Sequence, residues 1–252
     1  MDLDQLLRVA IHAAELATAE ILKIYRSDDF QVEAKHDHSP LTRADKNAHE
    51  AIVDVLQQTS IPVLSEEGKT IPYDVRKNWE YLWIVDPLDG TKEFLKRNDE
   101  FTVNIALVHQ GKPILGVVVT PVAGDLYCAA NDTAFLVRKN NRIPLPVRKP
   151  IDFDTSNLRV VASRSHMNDD TQRFIDNLKA PTLVSRGSSL KFMMLAEGAA
   201  DLYPRYAPTM EWDTAAAHAI MNAVGLKVLN VNTGEELMYN KPDLLNPFFI
   251  VR

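Results

Sequence analysis

Apolar residues return every three or four positions from Leu3 to Tyr25, through Leu6, Leu7, Ala10, Ile11, Ala14, Ala17 and Ile21. That spacing predicts a long amphipathic helix at the start of the chain. A polar loop, KHDHSPLTRAD, leads to a second helical stripe of Ala44, Ala48, Ala51, Ile52, Val55 and Leu56. After Pro62 the pattern shortens. The runs VL, YLWIV, FTVNIALVH, PILGVVVT, DLYCAA and TAFLVRK are separated by Gly, Pro and Asn-Asp turn signals, which predicts a largely antiparallel sheet. The character changes in NNRIPLPVRKPIDFDTSN, where three prolines and mixed charge suggest a boundary. Beyond it RVVAS, PTLVS, DLY, LKVLNV and FFIVR read as extended, alternating with helices over NDDTQRFIDNL, SSLKFMMLAEGA and WDTAAAHAIMNAVG. The expected organisation is an α+β subdomain over residues 1–150 and an α/β subdomain over 151–252.

Composition narrows the function. At 252 residues and 46% hydrophobic, the chain can bury a sizeable core. A net charge of −6 argues against a general nucleic-acid binder, but not against a small anionic substrate if metal ions or local Lys and Arg supply the field. Cys128 is the single cysteine, so an intrachain disulfide and a cysteine-based zinc cluster are excluded and a reducing compartment is expected. The first residues carry Asp2, Asp4, Glu15 and Glu20 and no basic leader, unlike a signal peptide. No apolar run reaches the roughly 18–20 residues of a membrane span. The expectation is a cytoplasmic protein, with peripheral association at the inner face of the cell membrane left open.

The chemistry gathers in WIVDPLDGTKEF, where an apolar strand runs into Asp86 and Asp89. Unpaired carboxylates are costly to bury, so a cation is expected there. Asp45, the pair Glu66-Glu67 and Asp213 also fall where elements begin or end. Hard oxygen ligands suit Mg²⁺, and two such ions about 3.5–4 Å apart can clamp both oxygens of a phosphoryl transfer. Asp86, Asp89 and Thr91 could supply a bridge, a ligand and a hydroxyl, while Gly90 lets the backbone approach a phosphate. Each piece also has a plain structural reading. Asp-Pro and Asp-Gly are turn dipeptides, and Thr42-Arg43-Ala44-Asp45 has the spacing of a capping box. Glu66-Glu67 would serve as a solvated loop, and Asp213 suits a helix start. No single turn or cap explains all four places. The Gly-Lys-Thr of EEGKT is not a P-loop, because Val63 stands where the first glycine belongs. DPLD is not an Asp-x-Asp nucleophile motif, because Leu88 takes the second position. The seven histidines form no His-Glu-x-x-His motif for zinc.

DPLDGT, with SEEG and WDTAA, resembles the inositol monophosphatase superfamily of Mg²⁺-dependent, lithium-sensitive phosphatases. Through VLSEEG, DPLDGTKEFLKRNDEFTVNIALV, ASRSH, GSSLKF, LYPR and WDTAAAHA the resemblance is closest to the CysQ-type 3'(2'),5'-bisphosphate nucleotidase branch, and it covers the chain from first helix to last strand. It implies a layered α/β/α/β/α sandwich and two or three Mg²⁺ ions. Glu66, Asp86 and the Leu88 carbonyl would hold the first ion. Asp86 would bridge to a second, bound also by Asp89 and Asp213. Gly90 and Thr91 would touch the scissile phosphate, and Thr91 paired with Asp45 would orient and deprotonate the attacking water. Glu66, Leu88, Asp89 and Asp213 would thereby border the substrate, with Glu67 behind the ligands. Ser65 stands where the family often has glycine. Arg164 and His166 are implied for the non-scissile phosphate and the nucleoside. Gly187, Ser188 and Ser189 lie at a helix start suited to an anion, with Lys191 adding charge, although serine there is also an ordinary cap. The implied activity is hydrolysis of adenosine 3',5'-bisphosphate to AMP, extending to the 5'-phosphosulfate, by a monomer that clears a by-product of sulfate activation. An inositol monophosphatase with the same metal site is the alternative. A non-catalytic nucleotide sensor is the other, though a binder has no need of both Thr91 and Asp45.

Overall fold

The structure, a computed structural model, describes residues 1–27, 30, 32–34, 40–149, 151–162 and 167–252. Helix α1 (Leu3–Tyr25) is capped by Asp2, whose side chain accepts the Gln5 N–H, and it buries the apolar face that its periodicity predicts. A two-residue ladder, β1 (Glu33–Ala34) with β2 (Pro40–Leu41), precedes helix α2 (Arg43–Leu56). Next come β3 (Val63–Ser65), the one-turn helix α3 (Tyr73–Arg76), β4 (Tyr81–Asp89) and the short helix α4 (Thr91–Leu95). Strands β5 (Thr102–His109), β6 (Lys112–Thr120), β7 (Asp125–Ala130), β8 (Thr133–Arg138) and β9 (Asn141–Pro144) complete a seven-stranded sheet whose spatial order follows the chain. The β3–β4 pair is parallel and the rest are antiparallel. The proline-rich stretch that reads as a boundary therefore begins inside the sheet, since β9 pairs with β8 as its edge.

Both faces of this sheet are covered, so its strands read as continuous apolar runs instead of alternating ones. Trp83 and Val85 pack with α1 and α2, while Leu82 and Ile84 on the opposite face pack with the C-terminal half. Each large side chain so buried contributes about 1.5–3 kcal/mol. The second half supplies β10 (Arg159–Val161), α5 (Asp169–Asp176), β11 (Thr182–Val184), α6 (Leu190–Ala196), β12 (Tyr203–Arg205), α7 (Glu211–Ala223), β13 (Val228–Asn230) and β14 (Phe249–Val251). β10 and β11 pair in parallel, whereas β12, β14 and β13 form an antiparallel sheet; strands alternate with helices from β10 to β13, as expected, and β14 follows as a second strand.

Helix α7 lies close on the large sheet because its face is built from alanine and because Gly116 faces it. A Cβ on Gly116 would stand 2.1 Å from the Ala216 carbonyl oxygen. In β14, Phe249 and Val251 face the core shared with α6 and α7, and Ile250 turns to a separate cluster containing Ile175 of α5. The layers run α1/α2, large sheet, α6/α7, small sheets, α5, matching the five-layer expectation. Among the described residues, no helix is long and apolar enough to cross a membrane.

Candidate active site

Two acids three residues apart on a regular strand point to opposite faces. In β4 they do not. Asp86 is the register partner of Asn104 and Asp89 that of Thr102, so Pro87 and Leu88 together oppose only Val103. This one-residue bulge brings Asp86 and Asp89 to the same face, the one that meets α6 and α7. Leu88 turns to the other core. Pro87 fits the bulge because the position asks for no ladder N–H. The Leu88 N–H donates to Asp86 Oδ1 at 3.0 Å, fixing the buried Asp86 carboxylate.

The chain then turns at Gly90, whose φ of +96° is left-handed and where a Cβ would stand 2.6 Å from Ser188 Oγ. Thr91 starts α4 and donates its hydroxyl to Asp45 Oδ1 at 3.2 Å. Asp45 Oδ2 accepts the Thr42 N–H at 2.7 Å and the Thr42 hydroxyl, completing the capping box of α2. Asp45 thus caps the helix through one oxygen and meets Thr91 through the other.

Glu66 follows β3, with its N–H bonded to the Val85 carbonyl at 3.1 Å, which places it beside Asp86. Glu67 acts electrostatically on His49 of α2. Ser65 also meets His49, through a 2.9 Å hydroxyl–imidazole hydrogen bond. Asp213 is the third residue of α7 and accepts the Met210 N–H at 2.9 Å. Burial first, then the charges of Glu66, Asp89 and Asp213, hold the Asp86 carboxyl well above the usual carboxylate range. Burial, followed by the Asp89 charge, pushes Asp213 up to about 8. Four carboxylates gathered here, with Asp86 and Asp213 raised by burial and by their neighbours, all offer hard oxygens and fit a divalent cation such as Mg²⁺. Among the described residues no three acidic side chains close into a finished ligand set, because Asp89 and Asp213 are turned onto protein donors.

In the GSSLK loop Gly187, Ser188 and Lys191 line the cleft, and its backbone also holds carboxylates of the chain itself. The Gly187 N–H donates to Glu100 Oε2 at 2.9 Å and the Ser189 N–H to Asp89 Oδ2 at 2.7 Å. The Ser188 hydroxyl donates to the Asp89 carbonyl at 2.6 Å. The start of α6 therefore already holds an anion, and it is the protein's own Asp89. Asn104 and Thr102 contact the same carboxylate oxygen at 3.4 Å each. Lys191 is buried, lowered to about 8 by that burial, and donates to the Ser188 carbonyl at 3.0 Å.

A cleft of about 310 Å³ opens between the halves, lined by Asp89, Gly90 and Asp213 together with Lys191, Tyr203 and Arg205. Arg205 escaped sequence reasoning. Its only signal was the LYPR segment, where β12 ends on a charge beside the cleft. Arg164 and His166 lie outside the described residues.

A bulged strand end bearing two acids, completed by an acid at a helix start in the second half, can be compared with known proteins. The model of the inositol monophosphatase family matches residues 2–247. The chain belongs to this family. It is 44% identical over 253 residues to the 3'(2'),5'-bisphosphate nucleotidase CysQ of Escherichia coli K12, covering 99% of this chain and 98% of that one. The CysQ nucleotidase of Haemophilus influenzae is 32% identical over 91% of this chain and 86% of its own. Among solved structures, CysQ from Bacteroides thetaiotaomicron superposes with a TM-score of 0.87 at 46% identity, covering 98% of this chain and 97% of that one. Enzymes of the inositol monophosphatase family are metal-dependent.

Proposed function

We propose that the protein is a Mg²⁺-dependent phosphatase that hydrolyses the 3'-phosphate of adenosine 3',5'-bisphosphate to AMP and phosphate, and that it also accepts the 5'-phosphosulfate. One observation carries the reading beyond the family. Lys191 and Arg205, with Lys96 and Arg186, line the same cleft as Asp89, Gly90 and Asp213. A substrate with one phosphate at the acidic end and a second anionic group several ångströms away meets both, whereas a monoester of a neutral alcohol meets one.

Glu66, Asp86, the Leu88 carbonyl, Asp89 and Asp213 are the groups that would hold two or three ions. Bound there, Mg²⁺ supplies the positive charge that a transferring phosphoryl group requires and that the carboxylate cluster lacks. The chain's own residues do the rest. The buried Asp45 is pinned through Oδ2 by Thr42, and its Oδ1 fixes the direction of the Thr91 hydroxyl proton. The Thr91 lone pairs are left to accept a proton from water, and Asp45 takes the proton that Thr91 releases. The water oxygen attacks phosphorus, the bond from phosphorus to the ribose 3'-oxygen breaks, and that oxygen takes a proton from solvent water to leave as the hydroxyl of AMP. The Gly90 backbone admits the phosphate at the turn. Lys191 and Arg205 hold the anion that remains on the product.

Phosphate release measured side by side from adenosine 3',5'-bisphosphate, its 5'-phosphosulfate and inositol 1-phosphate tests this. The nucleotides are expected to have the higher kcat/KM. Preference for the inositol ester would sink the assignment.

A further inference from the structure

Helix α7 is apolar along most of its length, yet Glu211, Thr214 and His218 form a buried stripe at spacings of three and four. A strap of residues 238–246 covers that stripe. Glu211 is wholly buried, and its two oxygens accept the Asn240 N–H at 2.6 Å and the Lys241 N–H at 3.0 Å, with the Lys241 ammonium beside them. Thr214 Oγ1 accepts from the Tyr239 hydroxyl at 3.1 Å and from Asn246 Nδ2 at 3.0 Å. The Glu211 N–H donates to the Leu244 carbonyl at 2.9 Å, and Asn246 Nδ2 donates to the Met210 carbonyl at 2.8 Å.

The other edge of the same strap is gripped by Arg76, which is 2% exposed and is the last residue of α3. Its guanidinium donates to Asn240 Oδ1 at 2.8 Å, the Lys241 carbonyl at 2.6 Å and the Pro242 carbonyl at 3.0 Å. Asn240 Nδ2 returns a 2.8 Å hydrogen bond to the Arg76 carbonyl. Two buried charges of opposite sign are thus satisfied by opposite edges of one short segment and not by each other. Simple packing would be served as well by apolar side chains of the same volume. Neither residue lines the cleft. What they hold is the first turn of α7, which carries Asp213.

We propose that the strap, clamped by Arg76 and Glu211, sets the Asp213 carboxylate against the Asp86–Asp89 end of β4, making Arg76 and Glu211 positioning residues for the cation site. The inference rests on the reading of Asp213 as a cation ligand. Calorimetric titration with Mg²⁺ tests it on Arg76→Met and Glu211→Gln, well below each variant's unfolding midpoint. Ile175→Ala, in the separate α5 core, and Asp213→Asn run alongside. Both clamp variants are expected to bind Mg²⁺ about 10-fold more weakly, the effect of removing a group that orients a metal ligand. The Mg²⁺ needed for half-maximal phosphate release rises by the same factor, with the nucleotide KM changed less than about 2-fold. Ile175→Ala lowers the midpoint and leaves the affinity alone. Wild-type affinity in both clamp variants, despite lower midpoints, overturns the proposal and leaves the strap a purely structural tie. Should Glu211→Gln fail to fold, Asn246→Ala and Arg76→Lys carry the same readout. Wild-type affinity in Asp213→Asn would instead overturn the assignment of Asp213, and the clamp's role with it.

Discussion

Thr91 draws its importance from a single direction: its hydroxyl proton is committed to Asp45 Oδ1, so its lone pairs are available to a water. Thr91→Val keeps the shape and removes that orientation. Turnover is expected to fall about 10²–10³-fold with little change in the unfolding midpoint, and Thr91→Ser to recover most of it. A Val variant within about 3-fold of wild type in phosphate release would remove Thr91 from the mechanism. At this scale the sequence was informative where a local pattern existed. The capping spacing of Thr42 and Asp45 was visible locally, whereas the pairing of Asp45 with Thr91 came only through the family resemblance, since no local pattern links positions 45 and 91. Arg205 had neither a local pattern nor a role implied by that resemblance. A single arginine after Tyr203-Pro204 is unremarkable until the fold brings β12 to the cleft.

The bulge in β4 is the element that turns a spacing into a site. A spacing of three reads as two faces, and only the register against β5 shows that Asp86 and Asp89 share one. Pro87 inside an apolar run was the available hint, since proline in a covered strand implies a bulge. At the helix start of α6, whose glycine and serines suggested an outside anion, Gly187 and Ser188 line the cleft, while Asp89 and Glu100, distant in sequence, occupy the Ser189 and Gly187 amides. Both halves meet at Gly90. Gly90→Ala would force a side chain into left-handed backbone, at about 1–2 kcal/mol, and press it on Ser188 Oγ. Chemical denaturation should show at least that loss together with reduced phosphate release. An unchanged midpoint would mean that the turn relaxes freely.

At the scale of the molecule, the strands of the large sheet, its largely antiparallel pairing and the two amphipathic helices before it were legible from periodicity, because both stripes and runs were long. The short pieces α3, α4 and β9 were not, since four or five residues carry too little pattern to stand out. The two halves converge on a cluster of like charges, and this makes stability depend on pH. Asp213 is raised to about 8 in the fold from an ordinary 3.8, chiefly by burial. Between these values the folded chain keeps a proton that the unfolded chain has released, so stability falls as pH rises through that window. Thermal unfolding in the presence of a chelator should show this decline from about pH 4 to about pH 8, and excess Mg²⁺ should offset it at the upper end. A midpoint that rises across the window would contradict the electrostatics of the cluster.

The central claim is that the cation drawn to these carboxylates makes the nucleotide phosphatase. It is tested most directly by the rate of phosphate release from adenosine 3',5'-bisphosphate as free Mg²⁺ is raised from chelator upward. The expected curve starts at background and saturates for the wild type, while Asp89→Asn stays at least about 10²-fold lower at every concentration. Undiminished release in chelator, or an Asp89→Asn curve that overlays the wild type, would contradict it.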